Sequence, residues 1–77
     1  MKISKFPQDF KFRSHPIGQC AQFCYPDFEN VEISVVIGDV FYSNGVDTYE
    51  MYDFRQNEPQ GWLTVDDINN HLLNNPF

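Results

Sequence analysis

The chain has 77 residues, eleven carboxylates against five Lys and Arg side chains, and a formal net charge of −6. A chain of this length is expected to form one domain over residues 1–77 with a small core, since only roughly 60% of the unfolded surface is buried at this size. It has no apolar run of signal-peptide length and none near the ~20 residues of a membrane span, so we expect a cytoplasmic protein with no membrane partner.

The charge is unevenly distributed along the chain. Lys2, Lys5, Lys11 and Arg13 give the first 13 residues a charge of +3, whereas the remaining residues carry −9 with Arg55 as their single Lys or Arg. Such an imbalance concerns partners rather than fold. We expect attraction to a basic protein surface and no direct binding of nucleic acid, because the acidic body would repel a phosphate backbone.

The N-terminal third contains two weak patterns. Apolar and charged residues alternate over residues 10–13, between Pro7 and Pro16, which predicts a short strand. The next segment predicts a possible short helix over residues 17–25 that ends before Pro26. Its apolar residues recur at three- and four-residue spacing: Ile17, Cys20, Ala21 and Cys24.

The middle of the chain predicts antiparallel strands. Residues 31–37 alternate apolar and polar side chains and are rich in β-branched residues, as in a half-buried strand. Asn44-Gly45 predicts a two-residue hairpin turn between residues 40–42 and 49–54. That register would place Asp39 opposite Glu50, so we expect a bulge or break at Gly38-Asp39 to relieve the repulsion.

The C-terminal part predicts a polar connection followed by a helix. The connection covers residues 55–61, and the helix begins after Thr64, whose side chain can form a capping box with Asp67. Val65, Ile68 and Leu72 would face the core, and Asn75-Pro76 would end the helix. The predicted class is α+β, with an antiparallel sheet of about three strands and this helix packed on it.

No motif in the chain predicts an enzyme or a cofactor. Four residues have the side chains of a tetrahedral zinc site: His15, Cys20, Cys24 and His71. Their spacing is unlike that of structural zinc sites, and we expect no metal and no cofactor. The cysteines are expected to be buried thiols, because disulfides persist mainly in oxidising compartments.

Acidic and aromatic residues are interspersed through the second half of the chain. One interpretation of these acidic residues is simple solubility, because a net charge away from zero keeps a protein monomeric. The sharper hypothesis is a contact surface for a larger protein or ribonucleoprotein, with carboxylates that steer the encounter and rings that anchor it. Its expected members are Asp39, Asp47, Glu50, Asp53, Glu58, Tyr42, Tyr49, Tyr52 and Trp62. Each of the four aromatic residues could equally belong to the core.

A short, strongly acidic, aromatic-rich chain without catalytic motifs resembles the small phage-encoded inhibitors of bacterial defence, among them anti-CRISPR proteins. The resemblance concerns the character of the whole chain and assigns no residue a role. It implies a non-enzymatic inhibitor in the host cytoplasm that either mimics nucleic acid and blocks a basic surface of a larger effector, or occupies an inter-subunit contact of that effector. The alternative is a small structural or accessory subunit, such as a phage assembly or immunity-type protein, with an aromatic interface.

Overall fold

The fold is a five-stranded antiparallel sheet with one helix packed on one of its faces. A computed structural model describes residues 10–14, 20–38 and 40–75. The strands follow one another across the sheet in chain order. They are β1 (Lys11–Ser14), β2 (Ala21–Pro26), β3 (Val31–Ile37), β4 (Tyr49–Asp53) and β5 (Glu58–Leu63), followed by α1 (Val65–Asn74). The α+β class is confirmed, and the expected number of about three strands is wrong.

The core lies between the sheet and α1. Along β3 the expected alternation is present, and its inward side chains meet those of β2, β4 and the helix. Each of these apolar side chains contributes roughly 1.5–3 kcal/mol when fully buried. The buried members of the core are Ala21, Phe23, Ile33, Val35, Ile37, Tyr49, Met51, Ile68 and Leu72. The side of the sheet that faces away from α1 is here called the outer face. It carries the strand side chains that alternate with the buried ones.

Strand β2 replaces the short helix expected over residues 17–25. Residues 17–19 lie outside the described part of the chain, and Ala21–Pro26 pairs with β1 on one side and β3 on the other. Ala21 and Phe23 are buried on the core face, while Cys24 is buried on the outer face beside Ser34. A strand buried on both faces loses its alternation, and its apolar residues then fit a helical spacing by chance.

The helix begins as the sequence predicts. The Thr64 side chain accepts a hydrogen bond from the Asp67 backbone N–H at 3.1 Å, and the Asp67 carboxylate accepts one from Thr64 N–H at 2.9 Å. Ile68 and Leu72 are buried in the core and Val65 packs at its margin, which confirms the predicted inward stripe. Asn75 is the C-terminal cap, with its N–H bonded to the His71 carbonyl.

An irregular loop replaces the expected hairpin between β3 and β4. The backbone N–H groups of residues 46, 47 and 48 all donate to the Asn44 Oδ1 atom. Gly45 has a φ of 74°, and Asn44 has no positive φ, so the turn is not the expected type. Hydrogen bonds to a side-chain oxygen thus replace the cross-strand backbone hydrogen bonds that the expected hairpin would form. Strand β3 ends at Ile37, so the expected break at Gly38 is present. Glu50 pairs with Val36, and Asp39 lies outside the described residues.

Strand β5 occupies most of the segment expected to be a polar connection. Only residues 54–57 form the turn, and the pairing with β4 starts at once with Glu58 opposite Asp53. Pro59 is compatible with this position because β5 is an edge strand, where a missing N–H costs no ladder bond. Within the described residues, no helix is both long and apolar enough to cross a membrane.

Candidate protein-binding surface

A bulge in β5 places an exposed tryptophan at the edge of the sheet. Met51 pairs with Gln60 and Tyr49 pairs with Leu63, so the single residue Glu50 faces two residues of β5. Those two residues are Gly61 and Trp62. A bulge of this kind redirects a side chain and bends the strand that carries it.

Trp62 adopts a backbone conformation that large side chains rarely accept. Its φ is 60°, in the left-handed region, and its side chain is 60% exposed. The left-handed conformation costs a residue with a Cβ atom about 1–2 kcal/mol. Strain of this kind concentrates at functional sites, where the surrounding structure holds it in place.

The β3–β4 loop is held against this bulge by the backbone of Tyr42. The Tyr42 carbonyl accepts a hydrogen bond from Trp62 N–H at 2.8 Å, and Tyr42 N–H donates to the Glu50 Oε1 atom at 3.1 Å. Gly61 makes this approach possible, because a Cβ atom there would lie 2.5 Å from the Tyr42 Cβ. Tyr42 is therefore fixed beside Trp62 while its side chain remains 66% exposed.

Tyr42, Glu50, Gly61 and Trp62 together form what we call the bulge site. It combines two exposed aromatic side chains with a half-buried carboxylate, on a backbone fixed by two hydrogen bonds. Exposed Tyr and Trp on a fixed backbone are the residues that most often anchor protein interfaces.

The described residues give the bulge site an acidic electrostatic environment. Lys11 and Arg13 lie on β1, the opposite edge of the sheet, and four interstrand spacings amount to about 19 Å. That separation exceeds the Debye length of about 8 Å at physiological ionic strength. Residues 40–54 and 56–77 contain no Lys or Arg, and Arg55 is bound to Asp53. A cationic partner would therefore be attracted to this edge of the sheet.

Asp53 is not a surface residue, which corrects the expectation that it stands on an exposed strand position. It is 1% exposed and is bound on both oxygens. Its Oδ1 accepts from Arg55 Nε at 3.0 Å, and its Oδ2 lies 2.8 Å from both Arg55 Nη2 and His71 Nε2. Burial opposes ionisation, but the hydrogen bonds from Arg55 and His71 outweigh it and lower the pKa of Asp53 to about 2.

The other expected surface residues occupy different positions. Tyr49 is 2% exposed, so of the two places left open for it, the contact surface and the core, it occupies the core. Tyr52 is half-buried on the outer face, where its ring packs 4.6 Å from that of Phe54. Asp47 in the loop and Glu58 at the start of β5 are exposed. The structure therefore brings together three of the expected residues, namely Tyr42, Glu50 and Trp62.

The described cysteine and histidine candidates do not form a metal-binding group. Cys20 and Cys24 are buried free thiols, and His71 is engaged with Asp53 instead of a thiol; His15 lies outside the described residues. Burial raises the pKa of Cys24, despite a hydrogen bond with Ser34 and the charge of Arg13. A raised pKa leaves the thiol protonated at neutral pH. In the described ranges, no group of three His, Cys, Asp or Glu residues could hold a metal ion.

Sequence reasoning missed the roles of Gly61, Arg55 and His71. Two signals were present. Arg55 is the sole Lys or Arg after residue 13, and a lone cation among many acids indicates an ion pair. Gly61 is an isolated glycine among the residues that form β5, and a glycine inside a strand indicates a bulge. His71 carried no such signal, because its partner lies 18 positions away.

Comparison of the chain with protein-family models, with curated proteins and with solved structures found no match.

Proposed function

We propose that this protein is a small non-enzymatic binding protein that inhibits or regulates a larger protein or ribonucleoprotein by covering a basic surface. The observation that carries the proposal is the bulge site, where a strained backbone holds Trp62 exposed beside Tyr42. A side chain held in this way costs stability in the free protein, and a contact with a partner would offset that cost.

The charge distribution supports a basic partner. Among the residues that the structure describes, those that border the bulge site carry carboxylates and no Lys or Arg, so the encounter would be steered by complementary charge. Several acids are already engaged within the protein, such as Asp53 with Arg55 and Asp67 at the helix start. Nucleic-acid mimicry would therefore rely on the exposed carboxylates, among them Asp47 and Glu58.

The alternative is an accessory subunit whose interface is mainly apolar. Val40 and Val46 on the β3–β4 loop are exposed, as is Phe54 at the end of β4, and these side chains would suit a permanent contact. The two functions differ in their response to salt. Charge-steered association slows as ionic strength rises, whereas an apolar interface keeps its association rate.

Partner capture with matched variants tests the proposal. Tagged protein would be used to isolate partners from a bacterial lysate, and the association rate of a purified partner would be measured at about 50 and 500 mM salt. We expect Trp62→Ala to abolish capture and Phe12→Ala to preserve it. Phe12 is a suitable control because its ring is 59% exposed on β1, at the far edge of the sheet. Equal capture by both variants would remove the bulge site from the proposed function.

A further inference from the structure

We propose that the bulge site binds an arginine side chain of its partner, with the guanidinium stacked on the Trp62 indole and paired with the Glu50 carboxylate. This inference rests on the proposed function and specifies the chemistry of the partner. It follows from the register of the bulge, because Gly61 and Trp62 together face Glu50 across the β4–β5 ladder. The register therefore sets an aromatic residue of the edge strand β5 across from an acidic residue of its neighbour β4.

The Glu50 carboxylate is held in place but its charge is unpaired within the described residues. Its Oε1 atom accepts the N–H of Tyr42, which fixes the side chain. Both ion pairs of the described chain involve Asp53 instead. A fixed, half-buried carboxylate without a cation is suited to pair with a cation from another molecule, because little side-chain entropy remains to be lost.

The Trp62 ring is similarly without a cation in the described part of the chain. The single cation–π contact there joins Arg13 to Phe28, with the guanidinium carbon 4.3 Å from the ring centroid. Tryptophan is the strongest aromatic partner for a cation, so the more favourable ring is the one left open to solvent. Arg13 thus makes its cation–π contact within the chain at one edge of the sheet, whereas the Trp62 ring at the opposite edge is exposed to an arginine from another molecule.

Arginine fits this site better than lysine. The guanidinium is planar and weakly hydrated, so it can stack on the indole and keep its N–H groups directed at a carboxylate in the same plane. A lysine ammonium is a compact and strongly hydrated charge that must lose more water to contact the ring. The exposed Tyr42 ring beside Trp62 adds apolar surface for the methylene groups of the arginine side chain.

The test uses short peptides and the intact protein. Three peptides of sequence Gly-Ser-X-Ser-Gly with blocked ends carry arginine, lysine or citrulline at X, citrulline being the uncharged analogue of arginine with similar shape. Binding is followed by amide chemical shifts, and by the fluorescence of Trp62, which is the only tryptophan in the chain. We expect the arginine peptide to bind at millimolar concentration, at least threefold more tightly than lysine and about tenfold more tightly than citrulline.

Two charge-neutralising variants locate the site. Glu50→Gln retains an oxygen that can accept the Tyr42 N–H, and we expect it to weaken arginine binding about fivefold to tenfold. Glu29→Gln removes the same charge from an exposed position in the turn between β2 and β3, and we expect less than a twofold change. Chemical shifts should move at the amides of Trp62 and Tyr42.

Equal affinity for arginine and citrulline, equal losses in both variants, or no shift with the arginine peptide at about 50 mM would overturn the inference. These results are distinguishable from failure of the proposed function. If Trp62→Ala abolishes partner capture while Glu50→Gln leaves it intact, the protein binds through Trp62 and the arginine contact is wrong. If Trp62→Ala leaves capture intact, the proposed function itself loses its site.

Discussion

The Nε2 atom of His71 lies 2.8 Å from the Oδ2 atom of Asp53, and this contact joins the last turn of α1 to the end of β4. Arg55 strengthens the same junction, since its Nη2 atom donates both to Asp53 at 2.8 Å and to the Asn75 carbonyl at 2.9 Å. One buried carboxylate thus fixes the C-terminal end of the helix to the sheet. The opposite end of the helix is attached covalently through Thr64 to β5.

Replacing Asp53 by Asn is expected to destabilise the protein by about 2–3 kcal/mol, because it leaves Arg55 and His71 without their anionic partner. Urea unfolding followed by circular dichroism measures the change. Glu58→Gln is the matched control, since Glu58 pairs directly with Asp53 across the ladder but is exposed, and its change should stay within about 0.5 kcal/mol. Equal unfolding free energies of the two variants would contradict this account.

The pKa of Asp53 predicts how stability depends on pH. The pKa in the folded protein is about 2, below the value of about 3.9 in an unfolded chain. The unfolded state therefore binds the proton first, and Asp53 contributes about 2 kcal/mol that is fully present above pH ~4 and lost as pH falls towards 2. The difference in unfolding free energy between the wild type and Asp53→Asn should shrink over this range. A constant difference from pH 7 to pH 2 would show that the charge of Asp53 is unimportant.

Trp62 predicts a trade-off between stability and binding. Trp62→Gly removes the left-handed strain, whereas Trp62→Ala keeps a Cβ atom at a φ of 60°. We expect the glycine variant to be more stable than the alanine variant by about 1 kcal/mol, after allowance for glycine's greater unfolded-state entropy. Both variants should fail to bind the partner. Urea unfolding measures the difference, and an alanine variant as stable as the glycine variant would mean that the backbone at Trp62 is unstrained.

Gly61→Ala is expected to displace the β3–β4 loop from β5. The added Cβ atom would lie 2.5 Å from the Tyr42 Cβ, so we expect a loss of about 1–3 kcal/mol and faster hydrogen exchange at Trp62 N–H, which donates to the Tyr42 carbonyl. Tyr42→Gly removes the atom that clashes. The double variant should therefore lose less unfolding free energy than the sum of the losses in the single variants. Strictly additive losses would mean that residues 61 and 42 do not interact.

Asn44 is expected to determine the shape of the β3–β4 loop. Its Oδ1 atom accepts three backbone N–H groups, and its Nδ2 atom donates to the Asp47 carboxylate at 2.6 Å. Asn44→Ala should cost about 1–2 kcal/mol, because these donors lose their common acceptor. Exchanging the two side chains, with Asn44→Asp and Asp47→Asn together, preserves the acceptor and the donor. Thermal unfolding should show the exchange to be milder than Asn44→Ala.

The sequence predicted the elements that depend on local interactions. The alternation over residues 31–37 and the capping box between Thr64 and Asp67 each involve neighbours within a few positions, so their physical cause is contained in the segment itself. The α+β class and the inward positions of Ile68 and Leu72 follow from the same periodicities. The acidic character of the C-terminal two thirds is likewise a property of composition alone.

Only the tertiary structure determined which of the acidic and aromatic residues reach the surface. Asp53 and Tyr49 alternate with Glu50 and Tyr52 along β4, and the choice of the buried set depends on the face on which α1 packs. The bulge that exposes Trp62 arises from the pairing of β5 with β4 and from the approach of Tyr42, which is distant in sequence. Composition provided the carboxylates and rings, and long-range pairing decided which of them are available to a partner, because burial depends on contacts that no local pattern records.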